Sequence, residues 1–201
     1  MMVARAARWA IRTLDSVIRR AHGVREFSNE PGCILRLAEG KLKRGVTLAD
    51  GTLIAAGERV GEIHLWNERL PQMPPGGPDL RWAVAMHRSL ERSLQVLASE
   101  VERDPSLRDI RGFRGETALA THRDGRTSDD LLVHLGLELQ PPASPSILTW
   151  FTDFWENLYS WWLIWTFNPA GLQSKKFWRL QRRRFWLSRT SLLDKYRTLV
   201  Q

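Results

Sequence analysis

The chain has 201 residues and a single cysteine; this length suits one domain with a buried core, and one thiol excludes both an internal disulfide and a cysteine-based zinc site. The formal net charge is +8, and it is unevenly spread. Residues 1–25 hold six basic and one acidic residue (net +5), residues 26–146 hold fifteen and eighteen (net −3), and residues 147–201 hold nine and three (net +6). Two basic ends around an acidic middle indicate that the ends meet an anionic partner, either phospholipid headgroups or nucleic acid.

Residues 1–25 are predicted to form a basic amphipathic helix. Apolar side chains recur at three- and four-residue spacing from Val3 to Ile18, and most of the arginines occupy other positions. The segment lacks the continuous apolar core of a secretory signal, although its Arg-rich and acid-poor composition also resembles an organellar transit peptide. We expect the helix either to meet a membrane surface or to pack on the domain that follows.

Residues 30–140 carry the signals of an α+β domain with a small antiparallel or mixed sheet and packed helices. Asp50-Gly51 predicts a tight hairpin, because both residues tolerate positive φ. The first four strands are expected to form a meander, and a long helix follows the Pro/Gly break at residues 71–78. The predicted elements are the strands Cys33–Glu39, Val46–Leu48, Thr52–Ile54, Val60–Trp66, Arg111–Ala120 and Gly136–Leu139, and the helices Leu80–Val101 and Ser128–Leu135.

Residues 146–201 differ in composition and are predicted to be a helical hairpin that lies in a membrane interface. The helix Ile147–Phe167 is aromatic but carries Asp153 and Glu156, so it is expected to lie on a bilayer and not to cross it. The helix Lys175–Leu199 is expected to add basic residues that attract an anionic leaflet. The predicted membrane-binding residues are Trp150, Trp155, Trp161, Trp162, Trp165, Trp178, Arg182, Arg183, Arg184 and Trp186.

The aromatic tail has two other interpretations. Aromatic residues at helical spacing also form protein cores and protein–protein interfaces, and arginines between aromatic rings can stack on single-stranded bases. Nucleic acid is the weakest of these interpretations, because the Trp-rich helix is acidic on its polar side and the middle of the chain holds no recognisable RNA-binding module.

The best candidate for chemistry is the strand end around His64. In a strand, Glu62 and His64 share one face, and Asn67 follows in the turn. A carboxylate or an amide can orient an imidazole for proton transfer near neutral pH. The plain alternative is a hydrogen-bonded histidine on an edge strand. No pair of histidines has metal-ligand spacing, so we expect no metal site and no cofactor.

Several segments of the middle region stand in a distinctive order, namely Val46–Thr52, Gly61–Leu70, Arg88–Leu90, Arg111–Thr117 and Leu135–Leu137. Together they resemble the YkoP-like domain of bacteria over roughly residues 30–140. The family pattern I-H-x-x-N corresponds here to Ile63, His64 and Asn67. The resemblance implies a cell-envelope role, because this family occurs beside or fused to polysaccharide deacetylases. This chain has no deacetylase domain of its own, so any such activity would belong to a partner.

The first functional prediction is a peripheral accessory protein on the cytoplasmic face of a bacterial inner membrane, non-catalytic, that works with envelope glycan- or lipid-modifying enzymes. The alternative is a small acyltransferase-like enzyme that uses His64 and Asn67 on a lipid-linked or activated substrate. A third possibility is that residues 147–201 dock on another membrane protein.

Overall fold

The computed structural model of the protein describes residues 2–117, 126–140, 147–172 and 183–197. Over these residues the helices are α1 (Met2–Ala21), α2 (Leu80–Arg103), α3 (Arg126–His134), α4 (Ile147–Phe167) and α5 (Arg189–Tyr196). The strands are β1 (Leu35–Lys41), β2 (Val46–Thr47), β3 (Leu53–Ile54), β4 (Arg59–Leu65), β5 (Gly112–Thr117), β6 (Glu138–Leu139) and β7 (Arg183–Ser188). Short 3-10 helices occupy Asn67–Arg69, Pro105–Leu107 and Pro169–Leu172.

Five of these strands form one mixed sheet in the order β1-β4-β5-β7-β6. Strands β4 and β5 run parallel, and the other neighbours are antiparallel. Strands β2 and β3 form a separate two-stranded ribbon. The predicted α+β fold class is therefore confirmed.

The two faces of the large sheet differ in chemistry. One face carries apolar residues at alternate positions, such as Leu37, Ile63, Phe113 and Leu187, and all four are buried in the main hydrophobic cluster. Helix α2 supplies seven side chains of this cluster, including Leu97, which is fully buried. Each such buried side chain contributes about 1.5–3 kcal/mol, so this face holds the domain together.

The long helix α2 begins and ends where the local sequence allows. The Asp79 carboxylate accepts a hydrogen bond of 2.7 Å from the backbone N–H of Trp82, which caps the first turn. The helix ends at Arg103, because Asp104 is extended and Pro105 follows. The predicted helix Leu80–Val101 is confirmed with two more residues at its end.

The Asp50-Gly51 hairpin is confirmed, but the meander is wrong. Gly51 has φ +82°, and the Asp50 carboxylate accepts a hydrogen bond of 2.9 Å from the backbone N–H of Thr52. Strand β1 pairs along its whole length with β4, and the β2–β3 ribbon is an excursion between them. The pattern of short strands does not specify which partners pair, because pairing is set by contacts distant in sequence.

The prediction of a basic helix over Lys175–Leu199 is wrong at Arg183–Ser188, which form a strand, and right at Arg189–Tyr196, which are helical; residues 175–182 lie outside the described residues. The aromatic helix Ile147–Phe167 is confirmed. Residues Arg183–Ser188 form β7, which lies between β5 and β6 inside the sheet. Ser188 then ends the strand and caps α5, since its hydroxyl accepts a hydrogen bond of 2.9 Å from the backbone N–H of Ser191. The α+β domain therefore includes β7 and α5 and does not end near residue 140.

The helix predicted within residues 1–25 is confirmed as α1, and it packs beside α4. The Arg8 guanidinium lies 5.2 Å from the Trp165 ring centroid, and the Tyr159 hydroxyl donates a hydrogen bond of 2.6 Å to the Asp15 carboxylate. Arg19 pairs with Asp15 at 2.8 Å within α1. Across the described residues, no helix combines the length and the apolar character that a membrane crossing requires.

Candidate functional site

A large concave cavity lies between the polar face of the sheet and the helices α1 and α4. Its volume is about 1190 Å³. Residues of β4, β5 and β7 line one side, residues of α1 and α4 line the other, and residues 42–46, from the connection after β1 to the start of β2, also belong to the lining. Binding sites for small molecules usually measure about 300–1,000 Å³, so this cavity is the leading candidate for a functional site.

The floor of the cavity is built from charged residues on alternate positions of three neighbouring strands. Glu62 lies opposite Arg114, and Glu116 lies opposite Arg184, in the register of the sheet. Arg114 donates hydrogen bonds to the Glu62 carboxylate through two of its nitrogens, one of them Nε at 3.2 Å. Arg184 donates to the Glu116 carboxylate at 2.6 Å. Opposite charges on adjacent strands therefore pair across the floor.

His64 also lies on this floor, on β4, two residues beyond Glu62. Its side chain is accessible to solvent through the cavity, but protein atoms surround it on the other sides. This desolvation lowers the pKa of the imidazole below 6.5; His22 and Arg36 lower it further, while Glu62 and Glu116 oppose the change. The imidazole is therefore neutral at pH 7 and can accept a proton.

Glu62, His64 and Asn67 all line the cavity, as the sequence-based site requires. The predicted orientation of the imidazole by its neighbours is not seen. In the described part of the chain, no hydrogen bond joins His64 to Glu62 or to Asn67, and the Glu62 carboxylate is engaged by Arg114. The structure brings the three residues to one cavity without linking them to each other.

The roof of the cavity is mixed, because apolar side chains of α4 lie beside the charged pair Asp15 and Arg19 of α1. The end of α4 is fixed to the segment before α2, since Gln72 donates a hydrogen bond of 3.1 Å to the Phe167 carbonyl and the Asn168 side chain accepts one of 3.1 Å from the backbone N–H of Met73. The apolar lining residues on this side are Ile18, Leu70, Met73, Leu163, Ile164 and Phe167. The lining of the cavity is thus amphipathic.

A second surface lies on the outside of α1 and α4. Trp9 is 70% exposed and Val17 is 57% exposed on α1, and Trp155 is 52% exposed on α4. Leu14 and Trp162 are also exposed on the same two helices. Of the tryptophans that the predicted tail contains, Trp161 and Trp165 are half-buried, and Trp165 faces Arg8 of α1.

The other predicted membrane residues divide into two groups. Trp186 is only 4% exposed, in a small apolar cluster with residues of the β2–β3 ribbon, so its indole ring is part of the protein interior. Arg184 lies on the same face of β7, where it is exposed and pairs with Glu116. Arg183 opens β7, Trp150 lies in the first turn of α4, and Trp178 and Arg182 fall outside the described residues.

Sequence reasoning missed the charged floor residues Arg114, Glu116 and Arg184. The segment Arg111–Ala120 is predicted to be a strand, and its charges at 114 and 116 are the signal that one face is polar. Arg184 had no such signal, because its segment was predicted to be helical. Within the described residues, no group of three His, Cys, Asp or Glu side chains could hold a metal ion.

Comparison with known proteins gives one match. The family model described as the YkoP domain matches residues 4–196. No curated protein and no solved structure matches the chain. The match extends from α1 through α5, so it covers the cavity and both of the helices that roof it.

Proposed function

The chain belongs to the YkoP domain family, and on this premise we propose that it is a peripheral membrane protein that binds an anionic bilayer through the outer faces of α1 and α4. The observation that carries the proposal is the apolar surface of these two helices. They hold Trp9, Trp155 and Trp162, which are the tryptophans with large exposure among the described residues. They also hold the exposed Leu14 and Val17.

Scattered apolar residues are normal on protein surfaces, but adjacent helices with exposed indole rings are not. Tryptophan favours the boundary between lipid headgroups and acyl chains, because its ring is apolar and its N–H is a donor. Since α1 and α4 contact each other through Arg8 and Trp165, their outer faces can meet one surface together.

The charge of α1 supports an anionic membrane. Residues 1–25 carry six basic and one acidic residue, net +5, and Arg12 and Arg20 are exposed on the helix. A basic residue near an anionic leaflet contributes about 1 kcal/mol, and electrostatic attraction together with aromatic insertion gives stable binding.

Flotation with liposomes tests the proposal. We expect the protein to float with liposomes of phosphatidylglycerol and phosphatidylcholine, and less with phosphatidylcholine alone. Trp9→Ser/Val17→Ser and Trp155→Ser/Trp162→Ser should each reduce the floating fraction at least several-fold. Leu80→Ser/Val84→Ser is the matched control, because these exposed apolar residues lie on α2. Deleting residues 147–201 is not a clean test, since it removes β7 from the sheet.

Unchanged flotation of both Trp variants, or equal losses in the α2 control, would overturn the membrane proposal. A stoichiometric complex with another membrane protein, together with weak liposome binding, would favour the docking alternative. The family resemblance is the basis for placing the protein on the cytoplasmic face of a bacterial inner membrane beside envelope glycan- or lipid-modifying enzymes. This placement stays a prediction.

One observation favours the transferase as a second candidate function. His64 has a lowered pKa and lies on the floor of the cavity together with Asn67, so a neutral imidazole is available as a general base beside space for a substrate. Thiol release from an acyl thioester donor is the assay. His64→Ala and Asn67→Ala should abolish the turnover with little change in melting temperature. Absence of turnover in the wild type, or equal losses of turnover and stability, would sink this candidate.

A further inference from the structure

We infer that the cavity binds one molecule of an anionic amphiphile, with a phosphate or carboxylate head group and an alkyl chain. This inference concerns the inside of the domain and stands apart from membrane binding by the outer faces of α1 and α4. It rests on three properties of the cavity, which are its size, the contrast between its two walls and its net charge.

The volume of the cavity and the chemistry of its lining indicate a ligand with one apolar and one polar part. At about 1190 Å³ the cavity exceeds what a small polar metabolite fills. Its roof includes an apolar patch of Ile18, Leu163, Ile164 and Phe167, beside the Asp15–Arg19 pair, and this patch gains by contact with an alkyl chain and by release of water. Its floor presents ion pairs and His64, which favour polar groups. A purely apolar or purely polar ligand would match only part of the lining.

The charge of the lining defines the sign of the head group. The lining holds five basic residues (Arg19, Lys43, Arg44, Arg114 and Arg184) against three acidic ones (Asp15, Glu62 and Glu116), a difference of +2.

Three of the basic residues are already paired. Arg19 pairs with Asp15 at 2.8 Å, Arg184 with Glu116 at 2.6 Å, and Arg114 with Glu62. The excess therefore belongs to the other two cations.

Lys43 and Arg44 line the cavity from the connection between β1 and β2. Both are exposed, and no carboxylate among the described residues lies within ion-pair distance of either. The connection is held in place because Leu42 before it is buried in the small apolar cluster with Trp186. Two cations on an anchored loop can bind a phosphate or carboxylate, while the chain of the amphiphile extends under α4.

Isothermal titration calorimetry with single-chain probes tests the inference without vesicles. Dodecyl phosphate and laurate are titrated separately, below their critical micelle concentrations, so that the preferred head group is identified. Dodecanol and inorganic phosphate serve as chain-only and head-only probes. We expect one molecule of dodecyl phosphate or laurate per chain, with dodecanol and phosphate each binding at least ten-fold more weakly.

Two variants locate the site. Lys43→Glu/Arg44→Glu should weaken binding at least ten-fold, whereas Arg88→Glu/Arg108→Glu, which changes the same charge at exposed positions away from the cavity, should not. Leu163→Trp fills the roof and should also weaken binding at least ten-fold, with the exposed position Val84→Trp on α2 as its control. Melting temperatures within a few degrees of wild type verify that the variants fold.

Equal affinity for dodecanol, binding of several probe molecules per chain, or unchanged affinity in both cavity variants would overturn the inference. The outcome is independent of the membrane proposal, because Trp9→Ser/Val17→Ser should lose liposome flotation and still bind the probe with wild-type affinity.

Discussion

The Glu62 carboxylate lies on the same strand and the same face as His64, yet Arg114 from the neighbouring strand occupies it. The sequence places Glu62 two residues from His64, and that spacing alone suggests a carboxylate–imidazole pair. The sheet instead provides a stronger partner, since a guanidinium can donate two hydrogen bonds to one carboxylate. His64 is therefore a neutral group in the cavity. Its pKa is set by its surroundings and not by one hydrogen-bonded partner.

We predict that His64 titrates below pH 6.5 in the folded protein. Desolvation is the largest cause of the lowered pKa, and Glu62 is the largest influence that opposes it. Glu62→Gln should therefore lower the pKa of His64 further. NMR titration of the histidine ring carbons measures both values, with the other histidines as internal references. A His64 pKa above 6.5, or an increase in Glu62→Gln, would contradict the prediction.

The same shift gives a sign for the pH dependence of folding. Between the lowered pKa of folded His64 and 6.5, the unfolded chain binds more protons, so His64 lowers the stability of the fold as the pH falls through that window. Urea unfolding of wild type and His64→Asn at pH 7 and pH 5 should show a smaller acid-induced loss in the variant. The effect is moderate, because the imidazole is accessible to solvent.

Gly115 in β5 is required by close approach of its neighbours. A Cβ at this position would meet the Phe185 ring and would lie 2.9 Å from the backbone carbonyl oxygen of Ile63. We predict that Gly115→Ala lowers the free energy of unfolding by about 1–3 kcal/mol, because the backbone of β4 cannot move away without breaking the sheet. Urea denaturation measures the loss. Gly76→Ala is the control, since nothing lies within 4 Å of its Cβ position.

At the scale of elements, a few neighbouring residues are sufficient to predict a turn or a helix where the structure depends on local chemistry. The Asp50-Gly51 turn, the Asp79 cap of α2 and the aromatic helix α4 each follow from local residues. Strand β7 did not follow, because its sequence RRFWLS joins arginines to large aromatic residues and has no polar alternation. Phe185, Trp186, Leu187 and Ser188 in succession are all buried, so the period-two pattern that identifies a half-exposed strand is missing there.

The candidate site could be predicted only in part, because local sequence patterns do not show which distant strands pair. His64 and Asn67 were found because they stand close together in the sequence. The floor partners Arg114 and Arg184 come from β5 and β7, and only the pairing of distant strands brings Arg114 beside Glu62 and Arg184 beside Glu116. The cavity itself depends on how α1 and α4 sit over the sheet, and no local pattern encodes that arrangement.

Trp186 and Trp9 provide a direct test of which tryptophans belong to the core. We predict that Trp186→Ala lowers the free energy of unfolding by about 3–5 kcal/mol, because the indole is buried against Val60 and Ile54. Trp9→Ala should change it by no more than about 0.5 kcal/mol, because the side chain is 70% exposed. Chemical denaturation gives both values. Similar losses in the two variants would show that the assignment of core and surface is mistaken.

At the scale of the whole molecule, α1 and α4 form a layer that is attached differently from the rest. The apolar face of the sheet is held by a continuous core, whereas α1 is joined to α4 and to the 3-10 helix by polar and cation–π contacts. These include the bond from Tyr159 to Asp15, the 3.4 Å pair of Arg19 with Glu68 and the stacking of Arg8 on Trp165. This layer should open more easily than the core beneath it.

We predict that Tyr159→Phe loosens α1 and leaves the core intact. Asp15 is only 3% exposed, so the loss of a hydrogen bond to its carboxylate should cost about 1.5–3 kcal/mol locally. Amide hydrogen exchange should speed up in α1 and stay unchanged in α2. Tyr196→Phe is the matched control, because it removes a 2.8 Å bond to the Leu135 carbonyl inside the core. Faster exchange throughout the domain in Tyr159→Phe would refute the prediction.

The position of β7 between β5 and β6 has a consequence for synthesis on the ribosome. Strands β1, β4 and β5 emerge long before residue 183, and until then β5 has an unpaired edge along most of its length. Nascent chains that stall or are cleaved ahead of β7 would expose that edge to other chains and aggregate. The polypeptide can finish this sheet only after residues 183–188 have been translated, so expression yield should depend strongly on an intact segment that contains β7.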